Sequence, residues 1–283
     1  MSNSRRGFFR ELGSVLASAK DALDPEPDPA PEPMIADLSD EEVERYSRQL
    51  VLPEWGAAAQ LALSEASVLV IGAGALGSPV AMYLVGAGVG RMGIVDDDAV
   101  ELSDLHRQLL HFTPDVDVSK AKSAAAKLRF LNPDAVIEPY QVSVEEASAP
   151  ALVEGQSLVV DCSDSFATRY AVNAACCAAR VPLVEAGVLG MSGLVMSIKP
   201  GRTACYRCAF PTAPVDAPSY ADAGVLGPAA GVIGSLQAME ALKLLTGVAP
   251  AIAGGFLLVD LATTEFLRVH AARRADCPDC AAL

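Results

Sequence analysis

An α/β fold is predicted, with a Rossmann-like, mostly parallel sheet carrying helices on both faces and continuing into a mixed sheet. Three observations predict it. Residues 66–71 form a compact apolar run, SVLVI from Ser67, of the kind that lines a buried parallel strand. Gly72-Ala73-Gly74-Ala75-Leu76-Gly77 follows at once, and 78–86 reads as a helix, so the glycine motif stands in a strand–turn–helix context. A second strand at 91–95 ends in Asp96-Asp97-Asp98, with Asp96 19 residues beyond Gly77, where such folds set the acid that grips a ribose hydroxyl.

The remaining elements follow in chain order. Ser4-Arg5-Arg6-Gly7-Phe8-Phe9-Arg10 has the look of a twin-arginine export signal. However, Glu11, Lys20 and Asp21 interrupt the clean apolar stretch that export needs. Phe8, Phe9, Leu12, Val15, Leu16, Ala19 and Leu23 instead recur at helical spacing, as in an amphipathic helix able to dock on a partner, a lipid surface or its own domain. A loosely packed tail is the plainer alternative. Prolines at 25, 27, 29, 31 and 33 make an extended spacer. Residues 1–37 are thus read as an amphipathic segment and linker, and 38–283 as one domain. Ser39-Asp40-Glu41-Glu42 is a helix start with an N-cap and early acids. A third strand at 157–160 leads into Asp161-Cys162-Ser163-Asp164, and helices are expected over 119–131, 170–180 and 232–245.

Composition narrows the function. Of 283 residues, 52% are apolar and 20% charged, enough for a large buried core. No run of 18 apolar residues free of charge occurs, which argues against a transmembrane segment. The net charge of −14 opposes broad nucleic-acid binding. Seven cysteines, four of them in two C-x-x-C pairs, point to metal in a reducing compartment, hence the cytoplasm.

Chemistry-bearing residues surround the nucleotide motif. Gly72, Gly74 and Gly77 permit a tight turn and close approach of a phosphate to a helix N-terminus. Arg107, Gln108, Lys120 and Lys122 lie in sequence between the acidic corners at Asp96 and Asp164, a mixture suited to nucleotidyl chemistry with Mg²⁺. A P-loop motif is absent. Each assignment has a plainer competitor. Lys120 and Lys122 can be solvated surface lysines, Asp97 and Asp98 can cap a strand end, and Arg45 can pair with Glu41 or Glu42. His106 and His111 read as packing or surface residues, and Cys176 and Cys177 as small core residues. Cys205, Cys208, Cys277 and Cys280 match a closed structural zinc site, although the 68 residues between the pairs exceed a zinc-ribbon gap and a redox pair competes.

Taken in order, these residues resemble the MoeB/ThiF/HesA adenylyltransferases, relatives of ubiquitin-activating enzymes, over about Leu38 to Cys280. The markers are Arg45-Tyr46-Ser47-Arg48-Gln49, the glycine loop, Leu102-Ser103-Asp104-Leu105-His106-Arg107-Gln108, Ser119-Lys120, Asp161-Cys162-Ser163-Asp164, Arg169, Asn173, Gly224-Val225-Leu226-Gly227-Pro228 and both cysteine pairs. The resemblance implies ATP-dependent adenylation of the C-terminal glycine of a small β-grasp protein ending in Gly-Gly, preparing it for a thiocarboxylate with sulfur from an external donor. It implies that Asp96 holds the ribose, with Asp98 beside it in the nucleotide site. Arg107, Gln108 and Lys120 contact the phosphates, and Asp164 lies near Mg²⁺ and the reacting centre. In a homodimer, Arg48 reaches into the partner's site, and the four cysteines hold Zn²⁺. Three positions depart from the family pattern. Tyr220 stands where several members carry a crossover-loop cysteine, which withdraws support for covalent transfer there; Asp104 and Ser165 stand where asparagine is common. Cys162, beside acidic residues, is expected to be protonated and slow. The rival readings are activation of a small-molecule or RNA-attached carboxylate, an NAD-dependent oxidoreductase and a non-catalytic scaffold.

Overall fold

The first described helix opens where the cap residues stand. In the computed structural model, which describes residues 37–214, 224–249, 251–252 and 254–283, Ser39 caps helix α1 (Asp40–Arg45) in a reciprocal capping box with Glu42. Arg45 pairs with Glu41 at 3.3 Å. The amphipathic segment, the proline spacer and Tyr220 lie outside the described residues. Two short helices, α2 (Ser47–Leu50) and α3 (Gly56–Ser64), lead into the sheet.

β1 (Ser67–Ile71), α4 (Gly77–Ala87) and β2 (Arg91–Val95) reproduce the expected strand–turn–helix–strand. α5 (Lys120–Leu131), β3 (Val136–Tyr140), α6 (Ala149–Val153), β4 (Leu158–Asp161) and α7 (Phe166–Ala179) complete the parallel half. The chain continues through β5 (Leu183–Leu189), β6 (Ser192–Ile198), α8 (Tyr206–Ala209), α9 (Gly227–Thr246), β7 (Gly255–Asp260) and β8 (Glu265–His270). The eight strands form one sheet in the order β3-β2-β1-β4-β5-β6-β7-β8. It is parallel from β3 to β5 and antiparallel from β5 to β8, so β5 is the seam.

Burial follows from this layering. Val68, Val70, Leu158 and Val160 are fully buried in the core layer that α4 and α9 share through Val80, Leu84 and Ile233. Leu69, Val159 and Leu183 join Val172 and Cys176 of α7 in the core on the other face. Strands buried on both faces explain the unbroken apolar runs. No described helix is long and apolar enough to cross a membrane.

Two expectations are corrected. Asp161 is the last residue of β4 and fully buried, not a cleft-facing corner, because β4 runs one residue further than predicted. α7 starts at Phe166, four residues early, because Ser165 is its N-cap and its side chain accepts the Thr168 N–H. Serine serves there as well as asparagine.

Candidate functional site

A cleft of about 660 Å³ opens at the C-terminal ends of β1, β2 and β4, where open parallel sheets bind ligands. The glycine turn forms its floor. Gly72 has φ of +91°, and a β-carbon there would lie 2.8 Å from the Cys162 carbonyl oxygen. A β-carbon on Gly77 would fall 1.9 Å from the Gly72 oxygen. Neither position tolerates a side chain. Between them, Ala73 is held on both backbone groups. Its N–H donates to Asp96 at 2.8 Å, and its carbonyl lies 2.9 Å from His111 Nε2. A carbonyl only accepts, so Nε2 of His111 carries the proton and Nδ1 accepts from Ser123 at 2.8 Å. Burial holds the His111 imidazole below its ordinary value and hence neutral. Burial also pushes the Asp96 carboxyl up, against the Ala73 N–H and the Lys120 charge, which favour its ionised form.

The cations gather around Asp104, which is buried. Its Oδ1 accepts from Gln108 Nε2 at 2.8 Å and Arg107 Nη2 at 3.0 Å. Its Oδ2 accepts the Glu101 N–H at 3.0 Å and lies 3.6 Å from Lys120 Nζ. Lys120 also donates to Asp98 at 2.9 Å. Burial opposes the Lys120 charge, but Asp98, Asp96 and Asp104 outweigh it and hold its ammonium above the ordinary lysine value. Lys120 is therefore a buried, paired cation, whereas Lys122 is a surface lysine. Asp164 is exposed on the cleft wall. Arg48 is exposed on α2 and does not line this cleft. The lining carries seven carboxylates against only Arg107 and Lys120, a formal excess of five negative charges.

The second centre is the cysteine cluster. All four sulfurs of Cys205, Cys208, Cys277 and Cys280 lie within 4.8 Å of one another and are buried. Separations of 3.8, 3.5 and 3.4 Å are found for Cys205–Cys208, Cys205–Cys277 and Cys208–Cys280. A Zn–S bond of about 2.3 Å puts tetrahedral sulfurs about 3.8 Å apart, so the donor set fits zinc. Asn173 of α7 ties the two pairs together. Its Nδ2 donates to Asp279 at 2.7 Å and its Oδ1 accepts the Tyr206 N–H at 2.8 Å. Arg207 also donates to Asp279, at 2.8 Å.

Three residues take positions in the structure that the sequence reading did not foresee. The sequence marks His111 only as a packing or surface residue, Asp104 only as a family marker that departs from the common asparagine, and Asn173 only as a family marker. Cys162 is buried, 3.4 Å from Gln237 Oε1, and its thiol is pushed well up by burial, then by Asp161 and Glu185. Glu185, rather than Asp164, is thus its second acidic neighbour.

The family model described as the ThiF family matches residues 46–279. The chain belongs to the ThiF family. This ThiF-family chain is 48% identical over 255 residues to "Adenylyltransferase and sulfurtransferase MOCS3" of Sus scrofa, covering 89% of itself and 56% of that protein. To the Bos taurus protein of the same name it is 45% identical over 275 residues, covering 96% and 60%. It therefore spans less than two thirds of the length of either relative. Among solved structures it resembles E. coli MccB with MccA-N7isoASN, at TM-score 0.78 and 21% identity over 88% of this chain and 77% of that one. PaaA matches at TM-score 0.70 and 21% identity, over 96% and 88%. These two share the fold.

Proposed function

We propose that this chain uses ATP to adenylate the C-terminal glycine carboxylate of a small β-grasp carrier protein ending in Gly-Gly, in preparation for a thiocarboxylate whose sulfur comes from an external donor. One observation carries the reading: Arg107, Gln108 and Lys120 converge on Asp104 at the wall of a cleft floored by the glycine turn. Gly72, Gly74 and Gly77 give the phosphates backbone access, Asp96 and Asp98 take the ribose side, and Asp164 faces the reacting centre.

The chemistry suits these groups. A carboxylate oxygen attacks the α-phosphorus, an O–P bond forms, and the bond to the pyrophosphate oxygen breaks. The negative charge that builds on the phosphoryl oxygens is offset by Arg107 and Lys120. Asp164, exposed on the cleft wall, would be the residue to hold Mg²⁺, which would supply further positive charge. The acidic excess of the cleft calls for cations from elsewhere. Arg48 of the partner subunit in a homodimer answers that need. Next to Arg48, Gln49 borders an apolar groove of about 400 Å³ that includes Met82, Tyr83, Met239 and Leu242. Met82, Tyr83 and Met239 are exposed there, as expected of a face covered by a second copy. The four cysteines hold Zn²⁺ as a closed structural site, and thiolates in that state suit the cytoplasm.

Pyrophosphate exchange tests the reading. Exchange should require ATP, Mg²⁺ and a β-grasp protein with a free C-terminal glycine, and Lys120→Ala or Arg107→Ala should lower the rate by about 10²–10³. Exchange driven by a small carboxylate without the carrier, or full activity in Arg107→Ala, would overturn it.

A further inference from the structure

Beneath the Asp164 loop lies a buried charge cluster with no part in the chemistry above. Asp161 on β4 and Glu185 on β5 are register partners in adjacent parallel strands, so their side chains stand side by side on one face of the sheet. Both residues are fully buried. From α7, Arg169 sets Nη1 3.2 Å from Glu185 Oε1, and its Nη2 donates to the Ser163 carbonyl at 2.8 Å. Asp161 Oδ1 accepts the Ser163 N–H at 2.9 Å. The cluster therefore grips Ser163, the residue before Asp164, by both of its backbone polar groups. Room for Arg169 comes from Gly187, where a β-carbon would lie 2.8 Å from Nη1.

The charges do not balance. Two carboxylates face one guanidinium in a site closed to water. The other titratable groups around them are Cys162 from the end of β4, Cys176 from α7 and Tyr206 from α8, and α9 contributes only the Gln237 amide, which bonds the Asp161 carbonyl. None of these is a cation. Asp161 Oδ2 and both Glu185 oxygens accept no hydrogen bond. Two ionised carboxylates have no hydrogen to place between them, and like charges directly opposed across strands are destabilising.

We infer that Asp161 and Glu185 share one retained proton, carried by Glu185, and that Glu185 is thereby a positioning residue that seats the Asp164 loop through Asp161, Arg169 and Ser163. Burial raises the Asp161 carboxyl too, but Asp161 is the ionised member because it accepts the Ser163 N–H in addition to the attraction of Arg169, whereas Glu185, paired with Arg169, accepts no backbone N–H. A protonated Glu185 donates to Asp161 and leaves a neutral trio of one anion, one cation and one acid. Burial first, and the Asp161 charge second, hold the Glu185 carboxyl well above its ordinary value. Folding then takes up a proton at Glu185. Above the ordinary glutamate range the folded state holds more protons than the unfolded chain, so the stability of the wild type declines as pH rises.

The replacement Glu185→Gln tests this, since an amide donates to Asp161 without needing that proton. The variant should melt about 2–4 °C above wild type at pH 7, with a gap that widens towards pH 9 and closes in acid. Infrared difference spectra of wild type against Glu185→Gln should show the carbonyl stretch of a protonated buried carboxyl, absent also in Asp161→Asn, where Glu185 ionises against Arg169. The catalytic significance rests on the proposed adenylation: the alkaline limb of pyrophosphate exchange should move to higher pH in Glu185→Gln. A lower melting temperature for Glu185→Gln, a gap independent of pH, an unmoved alkaline limb or no protonated carboxyl band would overturn the inference. Wild-type protein inert in exchange would refute the adenylation reading instead, and the melting and infrared arms would still decide where the proton lies.

Discussion

At Asp104 a single carboxylate sets the positions of three side chains, and its chemistry bears on the metal demand of the cleft. It accepts from Arg107 and Gln108 and lies 3.6 Å from the Lys120 ammonium, so part of the positive charge that the proposed adenylation would turn on a polyphosphate is already engaged. An ion pair near 4 Å is worth about 4 kcal/mol at an effective dielectric of 20, enough to matter for nucleotide affinity. Asp104→Asn keeps one acceptor oxygen for Arg107 and Gln108 but removes the charge. At limiting Mg²⁺ it should lower the apparent KM for ATP about three- to tenfold, and saturating Mg²⁺ should narrow the gap. Exchange rates over a Mg²⁺ titration would show it, and superimposable profiles would remove Asp104 from the account.

The elements differ in how openly the sequence declares them. β2 has the expected bounds and β1 ends where expected, starting one residue later, because an apolar run stopped by glycine or by consecutive aspartates has one reading. α3, α6, β5 and β6 carry mixed patterns and emerge only from what packs on them. Likewise the glycine turn was legible, being a local motif, whereas Lys120 could equally be read as a surface lysine and only the structure shows it buried in the cleft lining. The Asp161–Glu185 pairing was not, since it depends on strand register between segments 24 residues apart. α7 also escaped in its most consequential property. It starts beside Asp164, carries Arg169 against Ser163, and further along uses Asn173 to hold Asp279 and Tyr206 of the two cysteine pairs. One helix thus spans from the Asp164 loop to the cysteine cluster. Asn173→Ala leaves the Tyr206 N–H without its acceptor, at a cost of about 1–3 kcal/mol. It should release zinc to a chelator faster than wild type, measured with a colorimetric zinc indicator. Equal release rates would show that the cysteine pairs need no clamp.

For the molecule as a whole, Arg48 lies outside the cleft of its own chain, so under the proposed function a second copy supplies it. Mixing inactive Arg48→Ala and Lys120→Ala proteins should restore up to about a quarter of wild-type exchange, because half of the sites in each mixed dimer then contain both native residues. Mixtures as inactive as their components would show that each chain builds its site alone. The seam at β5 has a different consequence, for the order in which the chain acquires its structure. On its antiparallel side, β5 joins β6 and β7 joins β8 across turns of a few residues. On its parallel side, β1 joins β4 only after the 90 residues separating Val68 from Leu158 have been brought together. Closing that larger loop costs more chain entropy before any contact repays it. The two hairpins are therefore expected to form early, and the cleft, whose glycine floor, Arg107 and Lys120 all come from the parallel half, is expected to be completed later.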